Sequence, residues 1–241
     1  SQTAGGVQNR HWENIGSGDG FRVFVDGKDS DIVFVEWQGG RVQRVRRSVG
    51  ETKDIQPLPG KDDPKFRFNW NTPLAVSPTR DDTLYIGAQF LFRTRNRGES
   101  WERLSPDLTT NDPAKQKQME SGGLTVDNST AENHCTIYAI SESPRNENVL
   151  WAGTDDGNLQ LTRDGGKTWT NVIGNVPDVP KCTWVSSVEA SRYSEGTAYV
   201  TFDGHSQGDM KPYAYQTADF GKTWTAMSKA PIERYCHVLR E

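Results

Sequence analysis

The chain has 241 residues, a formal net charge of −4, three cysteines, eight tryptophans, 23 glycines and 12 prolines. Acidic and basic residues are interspersed and no apolar run reaches the thickness of a bilayer, which excludes a nucleic-acid-binding stripe and a membrane-spanning helix within this sequence. Three cysteines cannot all pair, so the chain is not a disulfide scaffold, and its many glycines and prolines favour short strands joined by turns.

The first predicted elements form one incomplete and one complete four-stranded unit. Residues 1–16 contain a segment beginning at His11-Trp12 that matches the fourth strands predicted further along, so we predict that they are the tail of such a unit. Residues 17–57 form the next unit, and its first three strands are predicted at 21–25, 32–36 and 41–45. Regular short strands with turn residues between them are typical of a β-propeller or a β-sandwich.

The next three units share an eight-residue pattern, [ST]-x-[DN]-x-G-x-[ST]-W. The units span 72–108, 134–175 and 182–228, and the pattern occupies 94–101, 162–169 and 217–224. In each unit the pattern follows a third predicted strand, and its tryptophan begins a fourth. A turn at this fixed place selects a propeller over a sandwich, so each unit is predicted to be a propeller blade.

The residue types of these octets have a turn-building logic. An Asp or Asn side chain accepts hydrogen bonds from the backbone that follows it, and Gly adopts the positive φ that the turn needs. The Trp brings a large apolar ring to the next strand. We therefore predict turn formation, and not catalysis, for the Asp or Asn, the Gly and the Trp that all three octets share. They are Asn96, Gly98, Trp101, Asp164, Gly166, Trp169, Asp219, Gly221 and Trp224.

The end of the chain is predicted to start another blade, because residues 235–241 match a first strand. Four blades and two fragments could close as a five-bladed ring with a damaged fifth blade. We favour the alternative, an incomplete segment of a larger propeller of about seven to ten blades, because unpaired edge strands promote aggregation. The predicted fold class is therefore an all-β propeller with four-stranded blades.

The octets resemble the Asp-box (BNR) repeats of sialidases, xyloglucanase-type glycoside hydrolases and sortilin-type receptors. Longer phrases, such as FRFNWNTPLAVSP and VLWAGTDDGNLQLTRDGGKTWTNV, are similar to the sortilin-like secreted bacterial propellers that are often labelled glycosyl hydrolases. The resemblance spans nearly the whole chain. It implies an extracytoplasmic protein (secreted, periplasmic or cell-surface) with more blades on both sides, and it implies no particular reaction.

Catalytic residues are weakly indicated. The Arg-Ile-Pro segment of sialidases is not present, and Arg22 is expected to be a strand residue that faces solvent or a carboxylate. Xyloglucanase-type enzymes need two opposed carboxylates, one as acid and one as base. Asp155 and Asp203 are the candidates for that pair, although Asp155-Asp156-Gly157 and Asp203-Gly204 also suit simple hairpin turns.

Ligands usually bind on the propeller face formed by the loops from fourth to first and from second to third strands. Two long loops, 50–72 and 104–134, are expected to build a wall over this face. Candidate ligand-face residues are Arg67, Trp70, His134, Trp184 and His205. Asn128-Ser129-Thr130 fits a glycosylation sequon but is expected to be an ordinary polar loop.

The three cysteines stand at equivalent places, each just before a predicted first strand. One interpretation is a soft-metal or redox site formed by Cys135, Cys182 and Cys236, with His134 or His237. The other, which we favour, is that the thiols fill tight inner-strand positions. No other cofactor is expected.

Three functions remain open from the sequence. The favoured one is a non-catalytic extracytoplasmic propeller that binds protein or glycan, or that serves as a structural subunit of a larger assembly. The first alternative is a glycoside hydrolase of the xyloglucanase type with paired carboxylates. The weaker alternative is a sortilin-type peptide-binding receptor. Nucleic acid is not an expected partner.

Overall fold

The computed structural model describes residues 6–117, 132–227 and 234–241. These ranges form four separate four-stranded antiparallel sheets, in which the strands lie in chain order and each strand pairs with the next. The first sheet contains β1 (Gly20–Val25), β2 (Ile32–Trp37), β3 (Arg41–Arg46) and β4 (Glu51–Asp54). The second contains β5 (Leu74–Val76), β6 (Leu84–Gly87), β7 (Leu91–Thr94) and β8 (Glu102–Arg103).

The third and fourth sheets repeat this order. The third contains β9 (Ile137–Ser143), β10 (Asn146–Thr154), β11 (Leu159–Thr162) and β12 (Thr170–Asn171). The fourth contains β13 (Trp184–Ala190), β14 (Ala198–Asp203), β15 (Tyr213–Thr217) and β16 (Thr225–Ala226). Only short 3-10 helices join them within the described residues, and no helix there is long and apolar enough to cross a membrane.

The sheets face one another in sequence, because the second strand of each sheet is buried on both sides. Side chains alternate across a strand. Leu150 of β10 therefore packs toward the second sheet, in a cluster with Tyr85 and Leu91. Its neighbour Trp151 packs toward the fourth sheet, in a cluster with Phe202. Both β10 side chains are completely buried, so the third sheet is held by the sheets before and after it.

The octets lie between the third and fourth strands of the second, third and fourth sheets, and we call them the octet turns. In the third sheet the Asp164 carboxylate accepts hydrogen bonds from the backbone N–H of Thr168 (2.9 Å) and from its hydroxyl (2.6 Å). The hydroxyl of Thr162 accepts the N–H of Gly166 at 3.0 Å. These bonds lower the pKa of Asp164 to about 2, with the Thr168 hydroxyl as the main cause.

The other two octet turns have the same bonds. Asp219 accepts the N–H and the hydroxyl of Thr223, and Asn96 accepts the N–H of Ser100. Because an amide carries both an acceptor and a donor, Asn96 also donates to the Ser100 hydroxyl, at 2.8 Å. Asn96 therefore keeps the turn that Asp forms in the other octets, and only the hydrogen bond with the hydroxyl residue is reversed in direction.

Octet tryptophans connect neighbouring sheets. The indole N–H of Trp101 donates to the carbonyl of Ile55 in the preceding sheet's exit segment (2.6 Å), and that of Trp169 donates to the carbonyl of Leu104 (3.1 Å). Gly166 has a φ of +100°, and a Cβ there would lie 2.7 Å from the same Leu104 carbonyl oxygen. Glycine is required at this turn for its conformation and for the close approach.

The two ends of the chain depart from regular strands. Residues 6–16 contain a 3-10 helix at Asn9–His11 and no strand, so the predicted fourth strand beginning at Trp12 does not form in the described segment. Trp12 is 76% exposed and has no sheet to enter; only Ile15 contacts an apolar cluster of the first sheet. Residues 234–241 run beside β13 and β14, where the carbonyl of His237 accepts the hydroxyl of Thr201, without forming a strand.

Candidate functional site

The first strands begin, and the second strands end, on one face of the structure, which we call the channel face. A cavity of about 410 Å³, the channel cavity, lies along the first strands β1, β5, β9 and β13 and is bordered by residues 237–240. A larger cavity of about 510 Å³ lies among outer strands, beside Lys53, Glu99 and Trp101. The channel cavity is the better candidate site because strands from all four sheets and the terminal segment converge on it.

The polar residues of the channel cavity come from different sheets. They are Arg22, Asn71, Tyr138, Ser186, Ser187, His237 and Arg240. The remainder of the lining is apolar, and no Asp or Glu belongs to the described residues that line it. The cavity therefore offers several hydrogen-bonding groups from different sheets to a ligand.

Four ring side chains follow one another in a line that we call the aromatic row, and two of them, Tyr138 and His237, line the cavity. The rings of His134 and Trp184 are 6.3 Å apart between centroids, those of Trp184 and Tyr138 5.2 Å, and those of Tyr138 and His237 6.5 Å. Tyr138 and Trp184 are half-buried, so part of each ring remains open. Two ligand-face candidates from the sequence, His134 and Trp184, are thus in contact, whereas Tyr138 was not predicted.

Asp155, the first catalytic candidate, is completely buried. Its carboxylate accepts the backbone N–H of Thr136 at 2.9 Å, the hydroxyl of Thr136 at 2.5 Å and the side-chain amide of Asn69 at 2.9 Å. Burial raises its pKa to about 7 against the lowering effect of these bonds. The side chain ties the loop before β5 to the start of β9, and it faces no open cavity.

Asp203, the second catalytic candidate, lies between two histidines. One carboxylate oxygen is 2.6 Å from Nδ1 of His205, and the other is 2.6 Å from Nδ1 of His237. Burial raises the pKa of Asp203, but the hydrogen bonds from the backbone and ring of His205 and from His237 outweigh it, and the pKa is lowered. His205 stacks on Tyr235, with ring centroids 4.5 Å apart. Asp203 therefore fastens the terminal segment to the fourth sheet.

The remaining ligand-face candidates have different surroundings. Arg67 donates to the carbonyl of Cys135 (3.1 Å) and to the carboxylate of Asp107 (2.8 Å), so its guanidinium holds two loops together. His134 is buried, and desolvation is the main reason that its pKa is lowered to about 4. Trp70 is half-buried, and its carbonyl accepts the N–H of Gly39. The glycosylation sequon at Asn128 lies outside the described residues.

The predicted soft-metal site is not assembled. Within the described ranges, no three His, Cys, Asp or Glu side chains come close enough to hold a metal ion, and the three cysteines are free thiols. Cys135 is buried, and desolvation raises its pKa to about 12. Cys236 makes its sulfur contact with the carbonyl of Val238. Cys182, His134 and His237 do not form one cluster with Cys135 and Cys236, because each thiol precedes the first strand of a different sheet.

Sequence reasoning gave Arg22 no role in ligand binding and did not consider Glu36, its neighbour in the first sheet. Arg22 lies on β1 opposite Glu36 of β2, and its side chain makes no hydrogen bond or ion pair within the described residues. Glu36 is completely buried, and desolvation raises its pKa to about 8, opposed by the charge of Arg22. The only sequence signal was the position of Arg22 on a first strand, which in a propeller faces the channel.

Comparisons with known proteins agree with this architecture. No protein-family profile matches the chain. The chain is 29% identical over 100 residues to an oligoxyloglucan-reducing end-specific xyloglucanase of Emericella nidulans, which covers 39% of this chain and 11% of that protein. It is 33% identical over 96 residues to a protein of Neosartorya fischeri named as a probable enzyme of the same specificity, with the same coverage. The matches therefore span about a tenth of the length of these relatives.

A solved structure extends the likeness to nearly the whole chain. The GH74 xyloglucanase of Xanthomonas campestris superimposes with a TM-score of 0.58 and 19% sequence identity, covering 89% of this chain and 31% of that one. At this identity the likeness concerns the fold alone. It confirms the predicted all-β fold as a partial propeller of four-stranded blades.

Proposed function

We propose that this chain is the glycan-binding part of an extracellular propeller, and that it holds a polysaccharide on its channel face without supplying the catalytic carboxylates. The observation that carries the proposal is the aromatic row beside the channel cavity, in which Tyr138 and Trp184 keep part of their rings open. Flat apolar ring faces suit the apolar faces of pyranose rings, and burying them against a sugar is favourable.

The relatives support the choice of a glycan over other ligands. Two curated relatives are named for action on oligoxyloglucan, and a structural neighbour is named a xyloglucanase. Because polysaccharides of this kind occur outside the cytoplasm, the proposal includes an extracellular location. Binding of a protein partner, or a structural role in an assembly, is supported by none of these contacts.

A hydrolase is the second candidate, favoured by the names of these relatives. The surroundings of the two predicted carboxylates argue against their use as a catalytic pair. A catalytic acid or base must reach the glycosidic oxygen or a water molecule. Asp155 is completely buried, and the Asp203 carboxylate, 3% exposed, is engaged by two imidazoles. The described residues lining the channel cavity include no carboxylate to replace them.

The test is binding of the purified chain to xyloglucan oligosaccharides by isothermal titration calorimetry. Trp184→Ala should weaken binding about tenfold, the effect of losing roughly 1.4 kcal/mol of ring burial. Trp12→Ala is the matched control, because Trp12 is exposed and far from the aromatic row, and it should bind as the wild type does. Equal binding by both variants would contradict the proposed site.

A second measurement separates binding from hydrolysis. The chain should release no reducing ends from xyloglucan. Release that is abolished by Asp203→Asn or Asp155→Asn, in variants that still unfold cooperatively, would establish the hydrolase and overturn the non-catalytic proposal.

A further inference from the structure

The channel cavity carries an uncompensated positive charge at Arg22. The Arg22 guanidinium lines the cavity and has no ion pair or hydrogen bond among the residues that the structure describes, and its Nε is buried without a partner. The other cavity arginine, Arg240, is already engaged by Glu189 at 3.0 Å and by Ser187 at 3.2 Å. A buried guanidinium nitrogen without an acceptor is costly, so the site favours a ligand that provides one.

The nearest carboxyl group does not fill this role. Glu36 lies opposite Arg22 on the neighbouring strand, but neither of its side-chain oxygens has a hydrogen-bond partner. Desolvation raises the pKa of Glu36 to about 8, so this carboxyl is protonated at neutral pH and leaves the charge of Arg22 unbalanced. Among the described residues, the wall of the cavity itself contains no acidic side chain.

Other polar groups point at the same space. Asn71 and Tyr138 line the cavity from the second and third sheets. Burial raises the pKa of Tyr138, while a hydrogen bond from Asn71 and the charge of Arg22 oppose the rise. Arg22 thus contributes to the electrostatic surroundings of Tyr138, which lines the same cavity from the third sheet.

We infer that the channel cavity recognises a carboxylate of an acidic polysaccharide, a uronic acid residue, with Arg22 as the binding partner of the carboxylate. This inference rests on the proposed glycan-binding function and names the ligand class. A carboxylate fits the fork of a guanidinium in two parallel hydrogen bonds. Tyr138 and Asn71 are placed to donate hydrogen bonds to the carboxylate or to the neighbouring sugar hydroxyls, while Trp184 covers the next sugar ring of the polysaccharide.

The test compares polygalacturonate with its methyl ester, two probes that share their sugars and differ in the charge of the carboxyl group. The wild-type chain should bind the acid form at least about tenfold more tightly at low salt, as expected for a charge-assisted bond. Arg22→Gln should remove this preference, and Arg22→Lys should keep part of it. Arg41→Gln, at an exposed position on β3, is the matched control and should keep all of it.

Each outcome has a defined meaning. Equal binding of the two forms by the wild type, or a preference that survives Arg22→Gln, overturns the inference. If neutral oligosaccharides bind through Trp184 while the acid form gains nothing, the glycan-binding function stands and the uronate inference fails. If only a peptide with a free C-terminal carboxylate binds, compared with its amide, and this depends on Arg22, both glycan proposals are overturned. Arg22→Gln should fold, since protonated Glu36 needs no counter-charge, and thermal unfolding checks this.

Discussion

Asp155 and Asp203 occupy corresponding places in the third and fourth sheets but have opposite surroundings. Asp155 directly follows the second strand β10, and Asp203 is the last residue of the second strand β14. Asp155 exchanges bonds with Thr136, which immediately precedes β9, and Asp203 pairs with Trp184, the first residue of β13. Thr136 supplies an N–H and a hydroxyl to the carboxylate. Trp184 supplies no hydroxyl to Asp203, whose carboxylate is hydrogen-bonded to His205 and His237 instead.

This difference teaches that the position in the blade does not decide the charge of the side chain. Burial dominates at Asp155 and raises its pKa to about 7, whereas the bonds from His205 and His237 dominate at Asp203 and lower its pKa. A motif search treats the two residues as equal acidic candidates. Burial and the donors that reach them from elsewhere make one an internal support whose pKa is raised and the other a clasp whose pKa is lowered.

The largest expected effect that sharpens this comparison is on the pH dependence of stability. A carboxyl group whose pKa is raised on folding stabilises the protein fully below its unfolded pKa, near 4. The Asp155 contribution is then lost as pH rises through about 7. The loss is on the order of 4 kcal/mol as an upper limit. Urea unfolding between pH 5 and 8 should show stability falling in the wild type and a flatter profile in Asp155→Asn.

Asp203→Asn is the matched variant for that experiment. Because the pKa of Asp203 is lowered on folding, its contribution is present above the unfolded pKa and is lost as pH falls below about 4. Its removal should leave the profile between pH 5 and 8 unchanged, apart from the histidines, and flatten only the acid limb. Identical profiles for the two variants would break the comparison.

The second expected effect is the cost of removing each side chain at pH 6. Asp155→Ala leaves the N–H of Thr136 without this acceptor and leaves the buried amide of Asn69 with the Thr136 hydroxyl alone, which should cost about 2–3 kcal/mol. Asp203→Ala should cost about 1 kcal/mol or less, because its histidine partners are close to half exposed and can turn to water. Equal losses in the urea midpoint at constant m-value would contradict the assignment of Asp155 as the internal support.

The smallest expected effect concerns the terminal segment. His237→Gln removes one imidazole from Asp203 and should lower the free energy of unfolding by under about 1 kcal/mol. Amide hydrogen exchange should quicken in residues 234–241 and stay unchanged around Asp155. His11→Gln, at an exposed site outside the channel face, serves as the control. Unchanged exchange in the segment would show that Asp203 does not fasten it.

Local chemistry explains which features could be predicted from the sequence. The strand order and the octet turns follow from side-chain alternation and from hydrogen bonds across four residues, such as that of Asp164 with Thr168. The tail strand at Trp12 was wrong, because a matching segment forms a strand only where a neighbouring strand exists to pair with it. A short sequence pattern predicts the local structure when the residues that form its hydrogen bonds are all close in sequence.

The candidate site depended on contacts that a sequence pattern does not contain. Asn69 and Asp155 are 86 residues apart, and Arg22 and Tyr138 come from different sheets. The soft-metal interpretation, which we did not favour, was based on equivalent positions in successive blades; repetition relates such positions but does not by itself bring their side chains into one coordination sphere. Of the five ligand-face candidates, His134 and Trp184 lie in the aromatic row, while Arg67 is used to join loops.

The direction of the tryptophan bonds has a consequence for how the chain is made. Trp101 satisfies the carbonyl of Ile55, and Trp169 that of Leu104, so the octets of the second and third sheets each complete the exit segment of the sheet synthesised before them, whereas Trp224 donates to Gly221 of its own turn. A blade leaving the ribosome keeps an open acceptor and an unfilled apolar edge until the following blade arrives. For the first and second sheets, the following blade therefore acts as the latch of its predecessor.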